Sequence, residues 1–79
     1  MEVRILFFGA TADAVGKREI IMSLDAGKKA GDVFGSVIAE YPGLQNRKLL
    51  YTINQEFASG SETVRDGDEL AVFTAVSGG

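Results

Sequence analysis

The chain has 79 residues, 46% apolar and 24% charged, with net charge −3 and a pI of about 4.7. That is enough for one globular domain with one core, and the composition is not that of a disordered segment. No basic stripe marks a nucleic-acid partner, and no apolar run approaches the roughly 20 residues that span a bilayer, so both partner classes are set aside.

Cys and His are both absent. This excludes a disulfide framework, a thiolate metal site, a Cys–His nucleophile and an imidazole base. An enzyme acting alone is thereby disfavoured. The opening "MEVRILFFG" carries Glu2 and Arg4, has only a short apolar run and lacks a small-residue cleavage site. It does not read as a signal peptide, and a cytoplasmic protein is expected.

"EVRILFF" reads as a first strand, with Val3, Ile5 and Phe7 on one face and Glu2, Arg4, Leu6 and Phe8 on the other. "GATADAVGK" has room for a single helical turn between Gly9 and Gly16. "REIIMSL" is a second strand rich in β-branched residues, and "DAGKKAG" is a loop.

Ala30, Val33, Phe34, Val37, Ile38 and Tyr41 form one apolar helical stripe, which predicts a helix over about 31–41. Asp32 suits the dipole of its first turn. No Ser, Thr, Asp or Asn stands just before the stripe, so its N-cap is weak. Pro42-Gly43 ends the helix, and Tyr41 before the proline is expected to leave helical geometry.

"LLYTI" and "EFA" are strands three and four. Asn54-Gln55 lies between them and predicts a turn less tight than Asn-Gly forms. "SGSETVRDGDE" is loop with a turn at Asp66-Gly67, and "ELAVFTAV" is the last strand. Metal binding or acid–base work by the carboxylates of "RDGDE" is the weaker reading, because an Asp-Gly turn before a strand explains them.

The order is β-β-α-β-β-β with one substantial helix. One helix covers one face of a small sheet. The first and last strands are the most apolar and are expected to lie side by side at the centre. The expected class is α+β: a β-grasp, or ubiquitin-like, fold with a mixed sheet of four to five strands and the main helix on one face. One domain over 1–79 is expected, with 76–79 as a flexible C-terminal tail.

Strand parity adds a functional signal. Leu70 and Val72 point inward, which leaves Ala71, Phe73 and Ala75 on the outer face with Leu6 and Phe8. Phe57 on the short fourth strand joins them. A sheet covered on one side should be polar on the other, so aromatic residues there mark an interface or a second small core under the 59–68 loop.

The chain ends "TAVSGG", residues 74–79. Alone, a Gly-Gly end is more often a frayed terminus. It stands here with "VRILFFG", "AGD" opening the helix, "EYPGL" closing it, "INQEF" in the hairpin, "RDGDELAVF" and "VSGG". In that order these stretches resemble the small subunit of molybdopterin synthase, a family of sulfur-carrier proteins. Thr74-Ala75 occupies the place where that family often has two prolines.

The resemblance implies that Gly79 and its neighbour Gly78 are the reacting end. An adenylating, ubiquitin-activating-like partner would activate the terminal carboxyl of Gly79 with ATP. A sulfur donor protein would convert it to a thiocarboxylate, and the large subunit of molybdopterin synthase would receive the sulfur to build a dithiolene. The chain would be the non-catalytic small subunit of a sulfurtransferase complex and would bind no cofactor or metal itself. Leu6, Phe8, Phe57, Phe73, Ala75, Val76 and Ser77 are the expected partner-contacting residues. Glycines lack a Cβ and suit a narrow channel, and Val76–Gly79 fully extended reach roughly 13 Å. The alternatives are a thiamine-type Gly-Gly sulfur carrier, a ubiquitin-like modifier of lysines, or a binding module with an idle tail.

Overall fold

Alternation in the first strand sorts its residues as expected: Val3, Ile5 and Phe7 are buried, and Glu2 and Arg4 are exposed. The computed structural model describes residues 1–75. In chain order the elements are β1 (Glu2–Phe7), α1 (Ala10–Val15), β2 (Glu19–Ser23), α2 (Ala30–Glu40), a 3₁₀ turn (Pro42–Leu44), β3 (Leu49–Ile53), β4 (Glu56–Phe57) and β5 (Glu69–Thr74). The five strands form one mixed sheet in the order β2-β1-β5-β3-β4. β1 and β5 are central neighbours and run parallel, with Arg4 opposite Glu69 and Phe7 opposite Val72. The other pairings are antiparallel.

Val33, Phe34 and Val37 of α2 pack with Val3, Ile5, Phe7, Leu70 and Val72 into one core, which Leu44 and Val64 extend. Burial of each such side chain is worth about 1.5–3 kcal/mol. Phe34 lies against the Tyr51 ring at 4.2 Å between centroids, and Tyr41 meets Phe7 edge-on at 6.0 Å. The Tyr51 hydroxyl is held above its ordinary pKa by this burial. The expected β-grasp layout is borne out: a mixed five-stranded sheet with the main helix on one face.

Two local expectations need revision, and a third, the weak N-cap of α2, holds with an addition. The segment after β1 forms a six-residue helix, α1, rather than a single turn, and its C-cap Gly16 adopts the left-handed conformation (φ 80°). The weak N-cap of α2 is compensated from outside the helix. Lys29 provides no side-chain cap, but the amides of Ala30 and Gly31 donate to the carbonyls of Glu62 and Gly60 at 2.8 and 2.9 Å. A Cβ on Gly31 would lie 3.2 Å from that Gly60 oxygen, so glycine permits the approach.

The Glu62 carboxylate orders the loop by accepting the amides of Ser59 (2.7 Å) and Gly60 (2.8 Å). These donors, Ser59 foremost, hold its pKa below the usual carboxylate range. The stabilisation is present above the unfolded-state pKa and fades as the pH falls through the lower folded value.

The second revision is the β3–β4 hairpin, which is tight. Ile53 pairs with Glu56 across the two residues Asn54 and Gln55, both at positive φ (50° and 71°). Neighbours hold Asn54 there. Its amide donates to the Glu69 carbonyl (2.7 Å), its Oδ1 accepts the Glu69 amide (3.0 Å), and its Nδ2 donates to Asp68 (3.1 Å). Gln55 has no such compensation among the described hydrogen bonds. A left-handed non-glycine residue costs roughly 1–2 kcal/mol. Gln55→Gly is therefore expected to raise stability by about 0.5–1 kcal/mol and the melting temperature by about 4–8 °C per kcal/mol. Thermal unfolding followed by circular dichroism checks this.

Candidate functional site

The face of the sheet away from α2 is divided. Around the start of β1 it is charged: Arg4 donates through Nε to Glu19 and reaches Glu69 at 3.6 Å. Glu19, by hydrogen bond first and by charge second, raises the Arg4 pKa. Toward the end of β1 and β5 the same face is apolar. Leu6, Ala71, Thr52 and Phe57 lie in one row across four strands. Phe73 and Leu50 pair in the next row. Phe8 follows β1 on this side, where its amide donates to the Val72 carbonyl at 3.4 Å.

The expected contact residues fall out as follows. Phe8 and Phe57 are 53% and 73% exposed, large values for aromatic rings. Phe73 and Leu6 are half-buried, and Ala75 is exposed just past β5. The rings of Phe57 and Phe73 lie 6.2 Å apart. Val76, Ser77, Gly78 and Gly79 lie outside the described residues. Ala71 corrects an expectation: it is on the outer face but only 6% exposed, because its small side chain sits in a central strand between Leu6 and Thr52.

Leu50 (37% exposed) and Ile21 (55%) are outer-face residues that the sequence reading missed. In "LLYTI" the two leucines give no parity by hydropathy alone. Thr52 carries the signal, since a polar residue facing out puts Leu50 out with it.

A single buried polar side chain secures this end of the sheet. Thr11 of α1 is fully buried. Its Oγ1 accepts the Phe8 amide at 3.0 Å and lies 2.8 and 2.7 Å from the carbonyls of Phe8 and Val72, to which its proton donates. Thr11 thus ties the exit of β1 to β5 just below Phe73. The end of β5 is held on its other side, where the Ala75 amide donates to the Lys48 carbonyl at 3.1 Å.

The carboxylates of "RDGDE" are occupied structurally. Asp66 accepts the Glu2 amide (2.8 Å), and Asp68 accepts the Arg65 amide (2.8 Å). Among the described residues no group of three acidic, His or Cys side chains is placed to hold a metal. No helix of the described residues is long and apolar enough to cross a membrane.

A protein-family model described as the ThiS family matches residues 5–79, nearly the whole chain. The chain belongs to the ThiS family. Two curated relatives align over all of this chain and all of their own length. They are the molybdopterin synthase sulfur carrier subunit of Chlamydomonas reinhardtii, 29% identical, and small archaeal modifier protein 3 of Haloferax volcanii, 32% identical. Among solved structures, SAMP1 from Haloferax volcanii superposes with a TM-score of 0.88 at 26% identity, with both chains fully covered. The resemblance to molybdopterin synthase small subunits is borne out, and the described residues of this ThiS-family chain include the apolar half-face.

Replacing Thr11 tests how that half-face is held. Thr11→Val keeps the shape and removes the hydroxyl, so the Phe8 amide and the carbonyls of Phe8 and Val72 each lose one hydrogen bond, while the longer Phe8-to-Val72 (3.4 Å) and Thr11-to-Phe8 (3.2 Å) backbone bonds remain. A loss of about 1–3 kcal/mol is expected, read by urea unfolding, whereas Thr11→Ser should retain most of the stability.

Proposed function

We propose that this chain is a sulfur carrier of the molybdopterin synthase type. The observation that carries the proposal is the apolar half-face at the end of the sheet where β5 leads into the terminal "VSGG". Exposed aromatic residues beside a reactive terminus provide a docking surface next to the chemistry. The name of the Chlamydomonas reinhardtii relative, a sulfur carrier subunit of molybdopterin synthase, supports the same reading.

The chemistry follows from the terminal carboxylate. A carboxylate is a poor electrophile, so an adenylating partner first activates Gly79. A carboxylate oxygen attacks the α-phosphorus of ATP and pyrophosphate leaves, giving an acyl-adenylate. The terminal sulfur of a donor persulfide then attacks the acyl carbon and AMP departs, and a thiol of the donor reduces the acyl disulfide, leaving the donor as a disulfide and releasing the thiocarboxylate. The thiocarboxylate that results is a nucleophile and delivers its sulfur in the large synthase subunit. This chain contributes presentation: Leu6, Phe8, Phe57, Phe73 and Ala75 dock, Val76 and Ser77 lead into the partner, and Gly78 and Gly79 enter a narrow channel. The absence of Cys leaves no internal thiol to capture the activated acyl group.

A second reading is favoured by the match to small archaeal modifier protein 3. In that reading the activated Gly79 is joined to a lysine of another protein. Intact mass after incubation with ATP, the adenylating partner and a sulfur donor separates the two. The carrier gains the difference between one sulfur and one oxygen, whereas the modifier appears as a covalent adduct on other chains.

Deleting Gly79 is expected to abolish sulfur transfer while leaving the melting temperature nearly unchanged, since a last residue outside any strand or helix pairing generally contributes little to a domain's stability. The reacting carbon must sit within about 3–3.5 Å of its attacker, so a one-residue retreat removes it from reach. Single-turnover transfer beside a thermal melt checks this. Full transfer by the deletion variant would contradict the proposal.

A further inference from the structure

One edge of the sheet is open and is complementary to itself. β4, at the other edge, is two residues long and offers little to pair with. β2 is five residues long, with an unbroken register against β1 and no bulge. It has no proline and no lysine within it. Edge strands are usually guarded by such devices; the one charge within β2, Glu19, is engaged by Arg4.

Its open groups can be identified. The Phe7 amide donates to the Arg18 carbonyl, and Met1 and Leu24 exchange hydrogen bonds. The even-numbered residues of β2 therefore face β1. The amides and carbonyls of Glu19, Ile21 and Ser23 point away from the sheet, and none has a backbone partner among the described residues. All three residues are exposed, and Ile21 is a large apolar side chain at 55%.

We propose that two copies of this chain associate through β2, antiparallel, about a twofold axis at Ile21. With Ile21 opposite Ile21 of the second copy, Glu19 falls opposite Ser23, and all the outward amides and carbonyls find partners, about six hydrogen bonds in all. The half-buried Ile20 falls opposite Met22 on the helix side of the sheet. Two residues beyond each end of the strand, Lys17 falls opposite Asp25. Both are exposed, and neither has an ion-pair partner among the described residues.

Charge selects this register. A slip that sets Ile21 opposite Ser23 puts Glu19 against Asp25, two like charges. The opposite slip sets Lys17 against Ser23 and gains no charge pair. The twofold axis is perpendicular to the sheet, so both apolar half-faces lie on one side of a ten-stranded sheet. The two β5 strands point in opposite directions and neither exit is blocked. Self-association is thus compatible with docking of a partner at each half-face, and it does not depend on the function proposed above.

The absence of native Cys makes the test clean. In such a pair the two Ile21 Cα atoms lie about 5.5 Å apart, inside the range of about 4.4–6.8 Å that a disulfide spans. Under mild oxidation, Ile21→Cys should cross-link to a dimer at least about tenfold faster than Ser23→Cys, whose partner across the axis is Glu19 rather than itself. Sedimentation equilibrium of the unmodified chain from about 10 µM to about 1 mM should show a reversible monomer–dimer equilibrium. Asp25→Lys, which sets two lysines opposite each other at both ends, should weaken it about three- to tenfold, and adding Lys17→Asp should restore it. A chain that stays monomeric across that range overturns the proposal. So do equal cross-linking rates at positions 21 and 23, or an Asp25→Lys variant that associates as before.

Discussion

An eleven-residue helix covers a five-stranded sheet on one side only. The stripe from Ala30 to Ile38 and the inward residues of β1 and β5 bury one another, and this leaves the opposite face to be specified by the side chains that remain. The parallel pairing of β1 with β5 makes the constraint consequential. It sets β5, the last strand, at the centre of the sheet beside the exit of β1, so that whatever the outer face carries there stands next to Thr74 and Ala75.

What the outer face carries is uneven. Arg4 with Glu19 and Glu69 gives one half a hydrated, mutually satisfied charge cluster. The other half holds Phe8, Leu50, Phe57 and Phe73 with no layer over them. Aromatic rings exposed at 53% and 73% contribute little to folding and much to a surface that excludes water on contact. Thr11 does the opposite work from below, binding the backbone at Phe8 and Val72 so that the ends of β1 and β5 stay in place.

Much of this was legible in the sequence because two periodicities are clean. Val3, Ile5 and Phe7 alternate, and the α2 stripe keeps helical spacing, so the inner face and its cover follow from pattern alone. Leu6, Phe8 and Phe73 follow outward by the same parity, and Phe57 joins them from the short fourth strand. Leu50 does not, since Leu49-Leu50 gives hydropathy no contrast. The buried state of Ala71 depends on its neighbours across two strands, which a single strand cannot reveal. The cap of α2 and the tight Asn54-Gln55 turn were missed for a related reason. Each is completed by residues far along the chain, Gly60 and Glu62 for the cap, Asp68 and Glu69 for the turn.

The central claim is that the uncovered half-face is where the large synthase subunit docks. Amide chemical-shift mapping of the isotopically labelled chain during titration with that subunit tests it most directly. The predicted result is perturbation concentrated at Phe8, Leu50, Phe57 and Phe73, with the exposed side of α2 at Asp32, Ser36 and Ala39 unchanged. Perturbation centred on α2, with the four outer-face residues silent, would contradict the account.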